Sequence, residues 1–397
     1  MEFIDVKAQY RRLEAPIRAR IDAVLAHGHF IMGPEIAELE QQLAAFAGAR
    51  HAITCASGTD ALLLPLLAWG IGPGDAVFVP SFTFFATAEM VAMTGAVAVF
   101  VDVDPVTFNM VPGQLEKAID AVLRRNASAH PLPAQALHRQ LTPRAVIPVD
   151  LFGIAADYAA LLPLARSHGL LTLEDGAQAF GSRYHGKRVC GLGAEAAATS
   201  FFPAKPLGCY GDGGAIFTDD DTLAALIKSL RVHGKGANKY DNVRIGTNSR
   251  MDTLQAAIVL PKLAVFDEEL TARQEVAAHY RSLLAGVPGL TLPTVPTHCT
   301  SSYAQYSVLF PSETVRDHVA AALRGQGIPT AIYYTTPLHL QPAFAHSNYT
   351  AGDLPVSENL SQRILSLPMY PFMPEADIAA VGRAIVHALQ QTPPSHS

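Results

Sequence analysis

The chain has 397 residues, 49% hydrophobic and 16% charged, with a formal net charge of −6 at pH 7. That length builds a large core in about two or three domains, and the charge excludes a general attraction to nucleic acid. No run reaches the ~18 uninterrupted apolar residues of a membrane span.

Met1 to Arg12 holds Glu2, Asp5, Lys7, Arg11 and Arg12 without an apolar stretch, so it does not read as a signal peptide. Cys55, Cys190, Cys209 and Cys299 lack paired spacing, which predicts free buried thiols in a reducing cytoplasm and neither a metal centre nor disulfides. Between residues 40 and 220 short β-rich runs alternate with helical patterns, the mark of a mostly parallel α/β sheet wound by helices. Ala76 to Pro80, Ala96 to Asp102, Ala145 to Val149 and Leu170 to Glu174 are the expected strands. Leu115, Ile119, Val122 and Leu123 recur at helical spacing and predict a crossover helix between the second and third. Asn126 to Arg144, rich in Ala, Pro and His, reads as a surface elaboration. Gly213 to Thr218 reads as a further strand, open to an antiparallel run. One long helical pattern from Asp252 to Leu284 leads to a strand over Tyr303 to Phe310 and a helix over Val315 to Arg324. The expected division is a large α/β domain over residues 1–255 and a smaller α+β domain over residues 256–397, with a frayed tail from Gln390 to Ser397.

The chemistry-bearing residues lie at strand ends. Ser57-Gly58-Thr59-Asp60 precedes an apolar run and can open a helix whose free N–H groups bind phosphate, although an ordinary N-cap reads the same way. Pro65 predicts a short or distorted start to that helix. Phe82, Phe84 and Phe85 follow the first strand, where one ring can stack on a planar ligand and the others fill core. Asp175 follows the apolar Leu171-Thr172-Leu173, at the strand end where parallel sheets present side chains to ligands. Gln178, three residues on, can contact that ligand or complete a capping box. Ser200 and Lys205 follow, Lys205 lying 30 positions after Asp175, and Gly208, Gly211, Gly213 and Gly214 allow close backbone approach. A lysine to bond an aldehyde, a carboxylate to hold a pyridine nitrogen protonated, and hydroxyls for phosphate are what pyridoxal phosphate needs. Lys228, Arg231, Lys235, Lys239, Arg244 and Arg250 oppose one acid, Asp241, and form a local basic stretch suited to an anion or to solvent.

With these runs in order, the chain resembles the DegT/DnrJ/EryC1/StrS family of sugar-nucleotide aminotransferases, from Phe3-Ile4-Asp5 to Leu365-Ser366-Leu367-Pro368. The resemblance implies the aspartate aminotransferase fold, fold type I. It implies that Lys205 bonds the cofactor, Asp175 partners the pyridinium nitrogen, Gln178 contacts the ring hydroxyl and Phe84 stacks on the ring. Phosphate falls to Gly58, Thr59 and Ser200, joined by Asn248 from the neighbouring subunit of a homodimer. His29 to Glu35, Cys209 to Gly214 and Pro337 to Pro342 are most like members that aminate a UDP-linked 2-acetamido-2-deoxy-3-oxo-glucuronate with L-glutamate, for a surface polysaccharide. Arg250 is then a candidate for a substrate carboxylate, beside Tyr333 and Tyr334 on the sugar side. Asp150 stands where many members have histidine or serine. Competing readings are a 4-keto-6-deoxy sugar substrate, a dehydratase using pyridoxamine phosphate, and a non-catalytic cofactor-binding regulator. Lysine at 205 disfavours the dehydratase, which characteristically has histidine there.

Overall fold

The structure, a computed structural model, describes residues 1–238 and 240–391. Among these the strands are β1 (His51–Cys55), β2 (Asp75–Pro80), β3 (Val97–Val101), β4 (Thr142–Val146), β5 (Leu171–Asp175), β6 (Arg183–Tyr184), β7 (Lys187–Arg188), β8 (Ala196–Ser200), β9 (Gly214–Thr218), β10 (Cys299–Thr300), β11 (Tyr306–Leu309) and β12 (Ile364–Leu367). The helices are α1 (Val6–His27), α2 (Pro34–Ala47), α3 (Gly58–Ala68), α4 (Ala86–Met93), α5 (Pro112–Arg124), α6 (Ala134–His138), α7 (Tyr158–Ser167), α8 (Asp221–Leu230), α9 (Thr253–Ala264), α10 (Phe266–Leu284), α11 (Glu313–Gly325), α12 (Pro355–Arg363) and α13 (Glu375–Gln390).

Seven strands form one sheet in the order β1-β9-β8-β5-β4-β2-β3. β3, β2, β4, β5 and β8 are parallel, while β9 runs antiparallel to both of its neighbours. β3 is buried along its whole length, as a strand covered by helices on both faces must be. Leu39 of α2, Leu115 of α5, Leu161 of α7 and Val259 of α9 share one core cluster. Leu62 of α3, Val91 of α4 and Ile227 of α8 pack in another. A third surrounds the antiparallel pair β11–β12, with Tyr280 of α10, Val319 of α11 and Ile385 of α13. This is the fold type I architecture: helices on both faces of a mostly parallel sheet, and a small α+β unit after it. No helix among the described residues is long and apolar enough to cross a membrane.

Several expected elements change at their ends. β4 begins at Thr142 and stops at Val146, because Pro148 has no N–H to continue the ladder. Asn126 to Arg144 is more than a surface elaboration: it contains α6 and the start of β4, buries Leu132, Ala136 and Leu141, and sets His130 Nε2 against the Phe100 carbonyl at 2.8 Å. α3 runs 11 residues straight through Pro65, so the proline does not shorten it. Leu123 is 49% exposed on the outer flank of α5. The long pattern to Leu284 is two helices, α9 and α10, separated at Val265, where φ is −109° and ψ 7°. The strand expected from Tyr303 begins at Tyr306, and the antiparallel run of β9 is as anticipated. Of the expected frayed tail, Gln390 still ends α13 and residues 392–397 lie outside the described part, as does Lys239 of the basic stretch.

Candidate active site

The carboxyl ends of β2, β5 and β8 open on one edge of the sheet, where loops rather than pairing decide the side chains. There a cavity of about 610 Å³ is lined by Gly58, Thr59, Phe84, Asp175, Gln178, Ser200, Lys205, Tyr333 and Tyr334. Nine positions from Gly58 to Tyr334 thus meet in one place.

On one wall α3 starts. Ser57 accepts a hydrogen bond from the Asp60 N–H at 3.1 Å, an N-cap that leaves the Gly58 and Thr59 N–H groups without intrahelical partners. The cap and the ligand-facing helix end are therefore the same feature. A Cβ on Gly58 would stand 2.5 Å from the Ser200 Cβ, so only glycine lets α3 and the end of β8 converge.

The opposite end holds Asp175. It is not a helix cap, since a turn follows β5: its Oδ1 accepts from the Ala177 N–H at 3.2 Å and its Oδ2 from the Thr87 hydroxyl at 2.9 Å. Burial pushes its pKa up, opposed by Thr87, Ala177 and the charge of Lys205. Gln178 forms no capping box. Its Oε1 accepts from the Phe152 N–H at 3.2 Å and its Nε2 donates to the Tyr334 hydroxyl at 2.9 Å, which leaves one amide N–H for a ligand. Phe84 is 54% exposed at the cavity and lies 6.4 Å from Tyr334 between ring centroids, whereas Phe82 is core.

Between these walls is Lys205, in a turn closed by its N–H on the Phe202 carbonyl at 2.9 Å. No hydrogen bond among the described residues holds its amine, and burial pushes its pKa down to about 8 against the opposing pull of Asp175. Such a lysine is neutral for a useful fraction of the time near neutral pH, which a nucleophile and base requires.

Two expected residues are not in this cavity. Asn248 is exposed and pairs with Val232 in a bridge, and Arg250 keeps a buried Nε without a partner. Arg231 of the basic stretch is structural, since its Nη1 binds Glu40 Oε1 at 2.5 Å and the Thr54 carbonyl at 2.7 Å. Asp150 is buried away from the cavity, accepting from the Ala156 N–H and the Tyr158 hydroxyl, so it does not face a sugar. The sequence reading missed Thr87, Asp212, Gln305, Thr336 and Gln341; Thr87 donates to Asp175 and the other four line the cavity. Thr83 and Thr87, four residues apart at the entry to α4, were the available signal for the first. Asp212 and Gln341 lie in the runs Cys209 to Gly214 and Pro337 to Pro342 that carried the resemblance, while Gln305 and Thr336 come from distant loops and carry no signal.

The sequence pattern of the DegT/DnrJ/EryC1/StrS aminotransferase family matches residues 12–386. The chain belongs to that family. Among its relatives is the UDP-2-acetamido-2-deoxy-3-oxo-D-glucuronate aminotransferase of Pseudomonas aeruginosa, 46% identical over 98% of this chain and 100% of the relative. A family aminotransferase from Brucella abortus superposes with a TM-score of 0.90 at 48% identity, covering 97% of this chain and 98% of the other. A Bacillus subtilis protein solved with bound pyridoxamine phosphate superposes at 0.83, with 28% identity over 95% of this chain and 82% of that one.

Aminotransferases of this family use pyridoxal phosphate, and the residues fit that group. Free N–H groups of α3 and the Ser200 hydroxyl form a cradle that a Cβ on Gly58 would fill, Asp175 offers a buried carboxylate, and the Lys205 amine is unpartnered.

Proposed function

We propose that this family member moves the amino group of L-glutamate onto a nucleotide-linked keto sugar, UDP-2-acetamido-2-deoxy-3-oxo-glucuronate, to make an amino sugar for a surface polysaccharide. The carrying observation is an unpartnered amine, a buried carboxylate and a free helix N-terminus around one cavity. The 46% identity to the Pseudomonas aeruginosa enzyme supports the choice of sugar. When bound, pyridoxal phosphate supplies an electron sink through its protonated ring nitrogen and carries the amino group, alternating with pyridoxamine phosphate.

Asp175 holds a negative charge at that nitrogen, its two acceptor bonds from Thr87 and Ala177 fixing its plane. Phe84 would cover the ring face, Gln178 would offer its remaining N–H to the ring hydroxyl, and Gly58, Thr59 and Ser200 would hold the phosphate. The neutral amine of Lys205 would take the proton from the Cα of glutamate and, as an ammonium in the second half of the reaction, would deliver one to the sugar carbon that receives the amino group. General base work of this kind contributes about 10²–10⁴-fold. Tyr333 and Tyr334 wall the sugar side.

Asn248 reaches no phosphate in its own protomer, so the reading requires Asn248 of the partner subunit and a homodimer. Its support is an exposed arm after α8 in which Val243 is 60% and Ile245 94% exposed, apolar surface that a neighbouring copy would cover. The buried thiols Cys55, Cys190 and Cys209 accord with a cytoplasmic location.

One observation favours a 4-keto-6-deoxy sugar as the second reading. Lys205 is the one basic residue among those lining the cavity, so a uronate carboxylate needs a cation from elsewhere, for which Arg250 of the partner subunit is the candidate. A mass-spectrometric screen of the pyridoxamine form against keto sugar nucleotides decides: the uronate should be aminated, and its failure beside success of a 4-keto-6-deoxy sugar overturns the choice. Lys205→Ala should fold and lose both turnover and the yellow colour of the lysine-bound cofactor, and a variant that kept the colour would remove Lys205 from its role.

A further inference from the structure

A second lysine, fully buried, packs against the loop that carries the half-buried Lys205. Lys262 of α9 is fully buried, donates from Nζ to the Gly208 carbonyl at 2.6 Å, and lies over the Tyr210 ring at 4.1 Å from its centroid. Gln255, seven residues earlier and thus two turns along the same face of α9, accepts from the Tyr210 N–H at 2.9 Å. The two side chains grip Gly208 and Tyr210, on the return limb of the loop that carries Lys205.

That loop is closed at its base and tight at its tip. The Phe201 N–H donates to the Gly213 carbonyl at 2.8 Å and the Phe201 carbonyl accepts from the Cys209 N–H at 2.7 Å. A Cβ on Gly208 would stand 2.6 Å from the Phe202 carbonyl oxygen and 2.7 Å from that of Pro203, so the Gly208 peptide packs directly under the turn ending in Lys205. Movement of the Gly208 carbonyl is passed to that turn through backbone contacts alone.

Holding α9 against this loop does not need a charge. A buried ammonium is costly unless compensated, and an apolar side chain of similar volume packs more favourably. No carboxylate lies within ion-pair distance of Lys262 among the described residues. Facing it are Cys209 and Tyr210 from the loop and Glu269 from α10; Gln9 and Arg12 of α1 take up Glu269, which Arg273 of α10 also neighbours, and Tyr10 packs on Tyr210. What the ammonium does make is the bond to Gly208.

We propose that Lys262 and Gln255 are positioning residues that set the height and enclosure of the Lys205 amine by clamping the Gly208–Tyr210 segment. The inference rests on Lys205 being the cofactor lysine, but its test reads that amine directly. In full-length protein freed of cofactor, Lys205 is titrated by its rate of acetylation across pH, followed by peptide mass spectrometry, in wild type, Lys262→Met, Gln255→Ala and Gln255→Glu. Loosening the clamp exposes the amine, which raises the Lys205 pKa from about 8 toward that of an exposed lysine. Labelling at pH 8 should therefore fall several-fold in Lys262→Met and Gln255→Ala and recover in Gln255→Glu, which keeps the acceptor for Tyr210. In the loaded enzyme kcat should fall about 10–100-fold with KM little changed, as for small misplacement of a reacting group. Unchanged titration of Lys205 in both loss variants, whatever their melting temperatures, overturns the proposal. Should Lys262→Met fail to fold, the Gln255 pair decides it alone. Failure of Lys205→Ala to lose the cofactor colour would instead overturn the assignment of Lys205 and leave the titration result standing.

Discussion

Lys205 and Asp175 work through what surrounds them. Burial acts on both, lowering the proton affinity of the amine and raising that of the acid. Thr87 opposes this at Asp175 by donating to Oδ2, so Thr87→Val should make the acid harder to ionise. The acid limb of kcat/KM should then move to higher pH, with a stability loss of about 1–3 kcal/mol for the charged hydrogen bond; a limb that stays in place would show that Thr87 only packs. Neighbours of this kind separate the two from ordinary surface residues. Asp175 and Lys205 were legible as types at a spacing, whereas Thr87 sits on α4, 88 residues from Asp175, and was not.

At the scale of elements, α3, β5 and β8 each carry one part of the site. Gly58 permits the approach of α3 to β8, and Gly58→Ala should force Ser200 away, weakening cofactor retention and costing about 1–3 kcal/mol by overpacking. Equilibrium dialysis of the cofactor against wild type checks this. In β5 the side chain before Asp175 points to the other face: Glu174 is fully buried, accepts from the Cys190 N–H at 2.5 Å, and neighbours the equally buried Asp150. Burial, and for Asp150 the charge of Glu174, push both carboxyls up, Glu174 to about 7. An acid whose folded pKa is raised contributes stability that is present below its unfolded pKa and lost as pH rises through the folded one. Glu174→Gln keeps an acceptor for Cys190, so it should leave the melting temperature unchanged at pH 5 and raise it at pH 8. A variant less stable at both would show that the negative charge is needed.

For the whole molecule, the exposed Asn248 and its arm make a prediction about assembly. Mixing Lys205→Ala with Asn248→Ala subunits should restore activity toward one native site per heterodimer, half that of a native dimer, because one site then has both its own Lys205 and an intact Asn248 from the other chain. Absence of complementation places Asn248 outside the neighbouring site. The division at residue 255 stands as a proposal, supported by the separate cluster around β11 and β12. Ala256 to Leu270 pack on the large-sheet cluster and Val276 begins the next, so limited proteolysis that releases a fragment starting beyond Leu270 would move the boundary into α10.

Repeating apolar patterns and strand-end chemistry are local, and the sequence by itself determined what depends on them: a wound parallel sheet, the crossover helix around Leu115, and the residue types at 175, 178, 200 and 205. Boundaries escaped it where one residue overrides a pattern, as Pro148 does by ending β4 and Val265 by dividing the long helical run. The alanine-rich β8 has Thr199 as its one branched residue and the five-residue β1 is too short to show a pattern, so their neighbours in the sheet define them. Tertiary structure alone decided that Thr87 reaches Asp175, that Asp150 faces the core and that Lys262 meets the Gly208 carbonyl. Each of those contacts joins residues on different elements, and no spacing along a chain encodes a distance between elements that only packing brings together.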